Sequence, residues 1–343
     1  MTAPTDSEPR AMEFDPAALE SYLREALPGL DGPMSIERIS GGQSNPSFFV
    51  TFGETRLVLR KQPPGELLPS AHAVDREFRV MGALAATPVP VPEMLLFCED
   101  RTIVGTPFYV MRRVEGRVFH DSRLAAAPAS ERRAMYRSVA TSLATLHRVD
   151  PDAVGLGDYG KHHDYFARQI ARWTRQWNLS RLRDDPNIDY LIDWLPRNVP
   201  EDDLCTISHG DYRIGNVMFA PAGPEVVAIL DWELSTLGHP LADLAHCCMA
   251  WHIGPDEFGG VWGLDLAAEG LPDQSEFADW YYAEAGHDAR LAPFHLSFAL
   301  FRFAVVFEGI AARARAGNAA NADAARVAPL ARVFAERAVD LVR

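Results

Sequence analysis

The stretch His209-Gly210-Asp211-Tyr212-Arg213-Ile214-Gly215-Asn216, followed by Ile229-Leu230-Asp231, is the most specific pattern in this chain. It places an aspartate two residues after a histidine, an asparagine five residues further on, and a second aspartate at the end of an apolar run. One carboxylate can then accept the proton of a hydroxyl, while an amide oxygen and the other carboxylate bind Mg²⁺ beside nucleotide phosphates. Because four positions must agree in order and distance, the pattern predicts a catalytic loop for phosphoryl transfer.

Each residue of this pattern has an expected role. Asp211 is the candidate base for the substrate hydroxyl, and Asn216 and Asp231 are the candidate Mg²⁺ ligands. His209 is expected first to hold the shape of the loop by hydrogen bonds, and only second to act in catalysis. Arg213 could neutralise charge on the transferred phosphoryl group, or it could be an ordinary surface arginine; the sequence leaves both readings open.

Composition limits the class of protein. The 343 residues are enough for a large core, and the formal net charge of −14 argues against a nucleic-acid partner. None of the four cysteines forms a C-x-x-C pair, which is typical of free thiols in a reducing cytoplasm. Residues 1–12 lack the apolar segment of a signal peptide and are expected to be a disordered leader. The apolar stretch 296–307 contains Arg302 and is too short to span a membrane, so it predicts a buried helix.

The predicted secondary structure changes from mainly strands to mainly helices near residue 113. Residues 13–113 read as a helix over Asp15 to Leu27, with Asp15 as its cap, and a small antiparallel β-sheet with one further helix over Val74 to Ala86, because short alternating segments are separated by glycine and proline turns. Residues 114–343 read as mainly helical, with apolar residues three and four positions apart. The predicted fold class is therefore α+β, with an N-terminal nucleotide-binding lobe and a helical C-terminal lobe that carries the catalytic loop and the substrate site.

The N-terminal lobe has a candidate phosphate-binding turn. Gly41, Gly42, Ser44 and Asn45 lie between two predicted strands, where glycines let the backbone approach phosphates and small polar groups donate hydrogen bonds. An ordinary hairpin turn would have the same composition. The chain has no G-x-x-x-x-G-K-[ST] motif, so a P-loop enzyme is not indicated.

A basic residue on the next strand is expected to pair with Glu77. Either Arg60 or Lys61 could place its charge on the α- and β-phosphates, and strand alternation allows only one of them to face the nucleotide. Arg60 is the favoured one. The segment from Met111 to Val114 is expected to be the hinge whose backbone binds adenine.

Several motifs together resemble a known family. Ser40-Gly41-Gly42-Gln43-Ser44-Asn45, Leu57 to Lys61, Asp75-Arg76-Glu77, His209 to Asn216 and Leu230-Asp231-Trp232-Glu233 occur in the order typical of the aminoglycoside phosphotransferase-like family. The runs Asp231 to Gly238, Pro240 to Ala245, Pro63-Pro64-Gly65 and Leu68 to His72 are similar to the branch fused to some acyl-CoA dehydrogenases. The resemblance covers roughly residues 15–340.

The resemblance implies a protein-kinase-like two-lobed fold that uses ATP or GTP with Mg²⁺ to phosphorylate a hydroxyl on a small molecule. The branch implies a hydroxy acid or hydroxyacyl-CoA as acceptor and a functional link to a separate acyl-CoA dehydrogenase. An arginine at residue 60, where many kinases have lysine, keeps the charge but changes the geometry.

Other interpretations stay open at this stage. One is an aminoglycoside or macrolide antibiotic kinase, and another is a nucleotide-binding pseudokinase or scaffold without turnover. Asp243 is expected to support the catalytic loop as a hydrogen-bond acceptor, whereas His246 and the other histidines show no metal-binding spacing. The acceptor pocket has five weak candidates: Trp280, Tyr281, Phe298, Arg302 and Glu308.

Overall fold

The computed structural model describes residues 14–39, 45–65, 73–315 and 327–343. The chain divides into two compact units: the first is Met1–Ala86 with Val91–Val114, and the second is Thr87–Pro90 with Glu115–Arg343. The predicted leader and three residues of the predicted phosphate turn (Gly41, Gly42 and Ser44) lie outside the described residues.

The first unit contains a five-stranded antiparallel sheet. Its strands are β1 (Met34–Arg38), β2 (Ser47–Phe52), β3 (Thr55–Lys61), β4 (Met94–Cys98) and β5 (Phe108–Arg112). Their order across the sheet is β1-β2-β3-β5-β4. In β2 every second side chain (Phe48, Val50 and Phe52) is buried, as the period of two along a strand requires when one face of the sheet is covered.

Among the described residues of this unit, three helices accompany the sheet: α1 (Pro16–Ala26), α2 (Val74–Leu84) and the short α3 (Arg101–Val104). The Asp15 side chain caps α1 by accepting a hydrogen bond from the Ala17 backbone N–H at 2.9 Å, as the Asp-Pro start predicts. Leu19 and Leu23 of α1 belong to the same buried cluster as the apolar residues of β2. Helix α3 was not expected, and it lies between β4 and β5, which pair antiparallel.

The second unit is mainly helical. Its helices are α4 (Ala129–His147), α5 (Tyr165–Ser180), α6 (Pro186–Trp194), α7 (Pro240–Cys248), α8 (Pro255–Phe258), α9 (Gln274–Glu284), α10 (Pro293–Arg315) and α11 (Leu330–Asp340). Helix α4 buries Met135, Val139, Leu143 and Leu146, which lie three and four positions apart as the sequence predicts for this unit. The predicted α+β class is confirmed by this combination of sheet and helices.

Short strands frame the loop between β7 (Thr206–Ser208) and β8 (Val217–Phe219). Strand β7 pairs antiparallel with β10 (Thr236–Gly238). Strand β8 lies between β6 (Arg117–Val118) and β9 (Val226–Ile229) in a second small sheet. The loop is thus fixed at both ends by strand pairing.

Helix α10 is longer than the apolar stretch in the sequence suggests. Its 23 residues are apolar enough, by length and composition alone, to cross a membrane, and the expectation that this segment is too short was therefore wrong. However, 78% of its most apolar window is buried inside the protein. Packing against neighbouring helices explains the apolar composition, and the predicted buried helix is confirmed.

Candidate active site

The loop after β7 brings Asp211 and Asn216 together. The loop turns at Gly210, which has a φ of +81°, and a Cβ there would lie 2.5 Å from the carbonyl oxygen of Leu234. A short 3₁₀ turn, Ile214–Asn216, then returns the chain. The Asn216 Nδ2 group donates to the Asp211 carbonyl oxygen at 2.8 Å and to its Oδ2 atom at 2.6 Å. Because the amide nitrogen is used in this way, the Asn216 Oδ1 atom is the one left to bind a cation.

Asp231 is held beside Asn216 by the backbone. The Leu230 N–H donates to the Asn216 carbonyl oxygen at 2.8 Å, which aligns the end of β9 with the catalytic loop. Asp231 itself has a φ of +64°, in the left-handed region that non-glycine residues rarely adopt. Such backbone strain is typical of functional sites.

Asn216 and Asp231 together have the chemistry of a Mg²⁺ site. Among the described residues no group of three or more His, Cys, Asp or Glu side chains could hold a metal ion by itself. One carboxylate and one amide oxygen suit a Mg²⁺ ion that completes its coordination with water and phosphate oxygens, since Mg²⁺ prefers hard oxygen donors.

Asp211 is surrounded by positive and polar groups. Its side chain is 19% exposed, its Oδ1 atom lies 3.1 Å from His246 Nε2, and its Oδ2 atom lies 3.5 Å from Arg213 Nε. Burial alone would raise the pKa of this carboxyl group, but His246 and the charges of Arg213 and Arg302 outweigh that effect and hold the pKa well below its usual range. Asp211 is therefore ionised at neutral pH.

His209 is engaged on both sides of its ring. Its Nδ1 atom accepts a hydrogen bond from the Asp211 backbone N–H at 3.2 Å, so the proton is on Nε2, which donates to the Leu230 carbonyl oxygen at 2.9 Å. The ring also packs against Trp232, with centroids 4.7 Å apart. These contacts tie the catalytic loop to the end of β9 and fit the loop-holding role that the sequence ranks first.

Asp243 of α7 lies beneath the loop. Its Oδ2 atom accepts hydrogen bonds from the His209 N–H at 2.7 Å and from Ser208 Oγ at 3.0 Å, and its Oδ1 atom accepts from the Gly210 N–H at 2.8 Å. Burial alone would raise its pKa, but the hydrogen bond from His147 and the neighbouring donors lower it to about 2. The predicted support of the loop by Asp243 is confirmed.

Arg302 is the one weak pocket candidate that reaches this loop. Its Nη2 atom donates to the Gly210 carbonyl oxygen at 2.6 Å, and its guanidinium lies 5.5 Å from the centre of the Trp173 ring. The other four candidates have different contacts: Trp280 packs under Arg133, Tyr281 bonds to His147, Phe298 packs on Phe166, and Glu308 accepts from Leu182 and Arg183.

A cavity in the second unit opens beside the predicted catalytic loop. Arg213 and His246, which both approach Asp211, form part of its wall. The remaining wall is mostly apolar or aromatic, including Tyr136, Met249, Ile253, Phe258, Phe303 and Phe334. The sequence did not indicate this wall, because its members come from four separate segments with no shared motif.

In the first unit Glu77 is the centre of a buried cluster. Arg60 Nε lies 2.9 Å from Glu77 Oε2, so the predicted ion pair is present, and Lys61 is buried with its Nζ atom 5.3 Å from the centre of the Phe14 ring. The hydroxyl of Tyr109 also donates to Oε2, at 2.9 Å. Of the two basic residues, Arg60 is the one that faces Glu77.

Two predicted nucleotide contacts are placed differently from the expectation. Asn45 is buried and donates from Nδ2 to Glu77 Oε1 at 2.6 Å, so this group supports the ion pair. Met111 belongs to β5, paired with Val58, and does not lie in a hinge after the strand. Only Val114 of the two named hinge residues follows the strand.

The comparisons with known proteins fit this geometry. Residues 35–281 match the model of the phosphotransferase enzyme family, and the chain belongs to that family. Acyl-CoA dehydrogenase family member 10 of Mus musculus is 39% identical over 340 residues, which are 96% of this chain and 31% of that protein. The chain spans less than half the length of such curated relatives, at most 44% in family member 11 of Rattus norvegicus.

Solved structures show the same fold. A crystal structure from Ralstonia eutropha JMP134, provisionally named an aminoglycoside phosphotransferase, is 44% identical with a TM-score of 0.87, and the match covers 96% of this chain and 98% of that one. A complex of the aminoglycoside phosphotransferase APH(4)-Ia with AMP-PNP and hygromycin B is 17% identical with a TM-score of 0.60, covering 93% and 98%. The predicted family, its acyl-CoA dehydrogenase-related branch and its kinase-like fold are confirmed.

Proposed function

We propose that this protein transfers the γ-phosphoryl group of ATP to a hydroxyl group of a small molecule. The observation that carries the proposal is the arrangement at Asp211: its ionised carboxylate is fixed by the amide of Asn216, and Asp231 is aligned beside them. Membership of the phosphotransferase family supports the same reaction class.

In this proposal each residue has a distinct task. Asp211 accepts a hydrogen bond from the acceptor hydroxyl, orients it, and takes its proton as the new phosphate ester forms. Asn216 Oδ1 and the Asp231 carboxylate would hold Mg²⁺, which neutralises phosphate charge when bound. Arg213 is close enough to Asp211 to meet charge that develops on the transferred group. Arg60, steadied by Glu77, would contact the α- and β-phosphates.

The residues that line the cavity indicate which class of acceptor it suits. Asp121 is its only carboxylate among the described residues, and His120, Arg213 and His246 also line it. A polycationic aminoglycoside would need several acidic partners, whereas aromatic and aliphatic walls suit an apolar chain. We therefore favour a hydroxy acid or hydroxyacyl thioester as the acceptor.

The proposal also includes a metabolic link and a cellular compartment. The names of the curated relatives suggest that the product is linked in metabolism to an acyl-CoA dehydrogenase. All four cysteines are free thiols, which is typical of a reducing compartment such as the cytoplasm.

The test is a search for phosphorylated product by mass spectrometry. Purified protein would be incubated with Mg²⁺·ATP and a panel of hydroxy acids, hydroxyacyl-CoAs, aminoglycosides and macrolides. We expect one acceptor class to gain a single phosphoryl group. We expect Asp211→Asn to lose at least about 100-fold in rate, because an amide cannot take up the proton.

Binding measurements complete the test. Asp211→Asn should keep the rise in melting temperature that Mg²⁺·ATP produces, because that residue is not assigned to nucleotide binding. Phosphorylation of an aminoglycoside alone would identify an antibiotic kinase. Mg²⁺-dependent ATP binding without any product would favour a pseudokinase or scaffold and count against the proposed activity.

A further inference from the structure

His246 is buried against the proposed base. It lies on α7, its side chain is 2% exposed, and its Nε2 atom is 3.1 Å from Asp211 Oδ1. Its ring meets Phe303 edge to face, with centroids 5.1 Å apart. The other carboxylate oxygen of Asp211 is held by Asn216. The two side chains therefore approach the carboxylate at different oxygen atoms.

The ring nitrogens of His246 are unusual for a buried histidine. Within the part of the chain that the structure describes, neither Nδ1 nor Nε2 has a hydrogen bond of regular geometry. The Nε2 atom lies within donating distance of Asp211 Oδ1, at 3.1 Å, but this contact is an ion-pair distance and not a regular hydrogen bond. A buried polar group without a regular hydrogen bond destabilises the folded state, so it needs a reason beyond packing.

The charges around the ring favour one protonation state. Asp211, Arg302 and Asp243 are the charged groups that act on it, and burial lowers the pKa of His246. The ring is therefore neutral at neutral pH. Because Asp211 is ionised, the tautomer with its proton on Nε2 is the one that suits the facing carboxylate.

We propose that His246 is a positioning residue for Asp211, and that its Nε2–H donates to Asp211 Oδ1 once the substrates are bound. With Asn216 on Oδ2 and His246 on Oδ1, the carboxylate cannot rotate away from the acceptor hydroxyl. Hydrogen bonds of this kind are often poorly aligned in a free enzyme and tighten in the complex with substrate. This inference rests on the proposed function of Asp211.

The kinetic test compares three variants. His246→Ala should lower kcat by about 10- to 100-fold with KM for ATP unchanged within about twofold, because the nucleophile is misoriented while nucleotide binding is intact. His246→Gln should recover a large part of the rate, since its amide N–H can donate to Asp211.

His295→Ala is the matched control. His295 is equally buried and has an unpartnered Nε2 atom, but its ring neighbours are Phe166, His239 and Phe294. It should keep its kcat. A kcat for His246→Ala equal to that of His295→Ala, or no recovery with His246→Gln in a folded protein, would overturn the inference.

A second measurement does not depend on turnover. Long-range ¹H–¹⁵N spectra of the histidine rings, with His246 assigned from His246→Gln, should show a proton on Nε2. That signal should shift in Asp211→Asn but not in Asp121→Asn, which alters the same cavity wall. A His246 ring without a proton on Nε2, and unmoved in Asp211→Asn, would refute the contact.

The kinetic and spectroscopic measurements distinguish a failure of the proposed function from a failure of the proposed role of His246. Wild-type protein that phosphorylates no acceptor contradicts the proposed function, while the ring spectra still decide whether His246 donates to Asp211. Active wild-type protein with an equally active His246→Ala variant contradicts only the role of His246.

Discussion

At the scale of single residues, spacing and contact give different information about Asp211. The spacing from His209 to Asn216 predicts that Asp211 and Asn216 lie close together, and the structure confirms this with two hydrogen bonds. His246 gave no signal in the sequence, because it comes from a helix far along the chain and belongs to no spacing motif. Only the packing of α7 beneath the catalytic loop brings it to the carboxylate.

Asp243 provides a prediction about stability and pH. The fall of its pKa from 3.8 to about 2 corresponds to about 2 kcal/mol in favour of the folded state at neutral pH. Since the folded-state pKa is the lower one, this contribution is complete above about pH 4 and is lost as the pH falls towards 2. Asp243→Asn should therefore lower the free energy of unfolding by about 2–4 kcal/mol at pH 7, and by less near pH 3.

Denaturant unfolding of both proteins across this pH range checks the prediction. Asp184→Asn is the control, because its side chain is 90% exposed and its contact with Arg181 is on the surface. It should change stability by less than about 1 kcal/mol at every pH. If the difference in free energy of unfolding between wild type and Asp243→Asn stayed constant from neutral to acid pH, the lowered pKa of Asp243 would not be the source of this stability.

At the scale of elements, α2 is fixed to the sheet of the first unit through Glu77. Strand alternation predicts that only one of Arg60 and Lys61 can face this carboxylate, and the structure selects Arg60. Tyr109 was not indicated, because β5 is brought beside β3 only by the order of strands in the sheet. The ion pair is thus a product of sheet topology as well as of sequence.

Glu77→Gln should be strongly destabilising. Glu77 is 1% exposed and Arg60 is 16% exposed, so the substitution removes the negative charge from a largely buried ion pair, at a cost of about 3 kcal/mol. We also expect KM for ATP to rise, because Arg60 would lose its fixed position. Chemical unfolding and steady-state kinetics would measure these effects.

Glu93→Gln is the comparison for this prediction. Glu93 pairs with Arg112 at 2.7 Å, but both side chains are more than half exposed, so the loss should be below about 1 kcal/mol. Equal losses of stability in the two variants would mean that the Arg60–Glu77 pair stabilises the protein no more than an exposed ion pair does.

At the scale of the whole molecule, burial decides the chemistry of the thiols. Cys98, Cys247 and Cys248 are buried and Cys205 is partly exposed. Burial, followed by the charge of Asp243, raises the pKa of Cys247 to about 12, and burial raises that of Cys248 well above its usual value. Thiolate is the reactive form, so these groups should be inert in the folded protein.

A thiol titration tests this expectation. With a chromogenic disulfide reagent at neutral pH, the native protein should react at one thiol, Cys205, and slowly, because burial and then Asp203 raise its pKa. The unfolded protein should react at all four. Cys205→Ser should show no reaction in its native state, and fast labelling of two or more thiols in native wild type would contradict the burial.

The sequence by itself determined the family, the α+β class, the closeness of Asp211 and Asn216 in one loop, and the pairing partner of Glu77 to within two residues. These features depend on local order and spacing, which the chain preserves whatever it packs against. The tertiary structure decided the contact of His246 with Asp211, the role of Arg302 at Gly210 and the apolar wall of the cavity. Each of these joins residues from separate helices and loops, and their proximity comes from packing that no local pattern encodes.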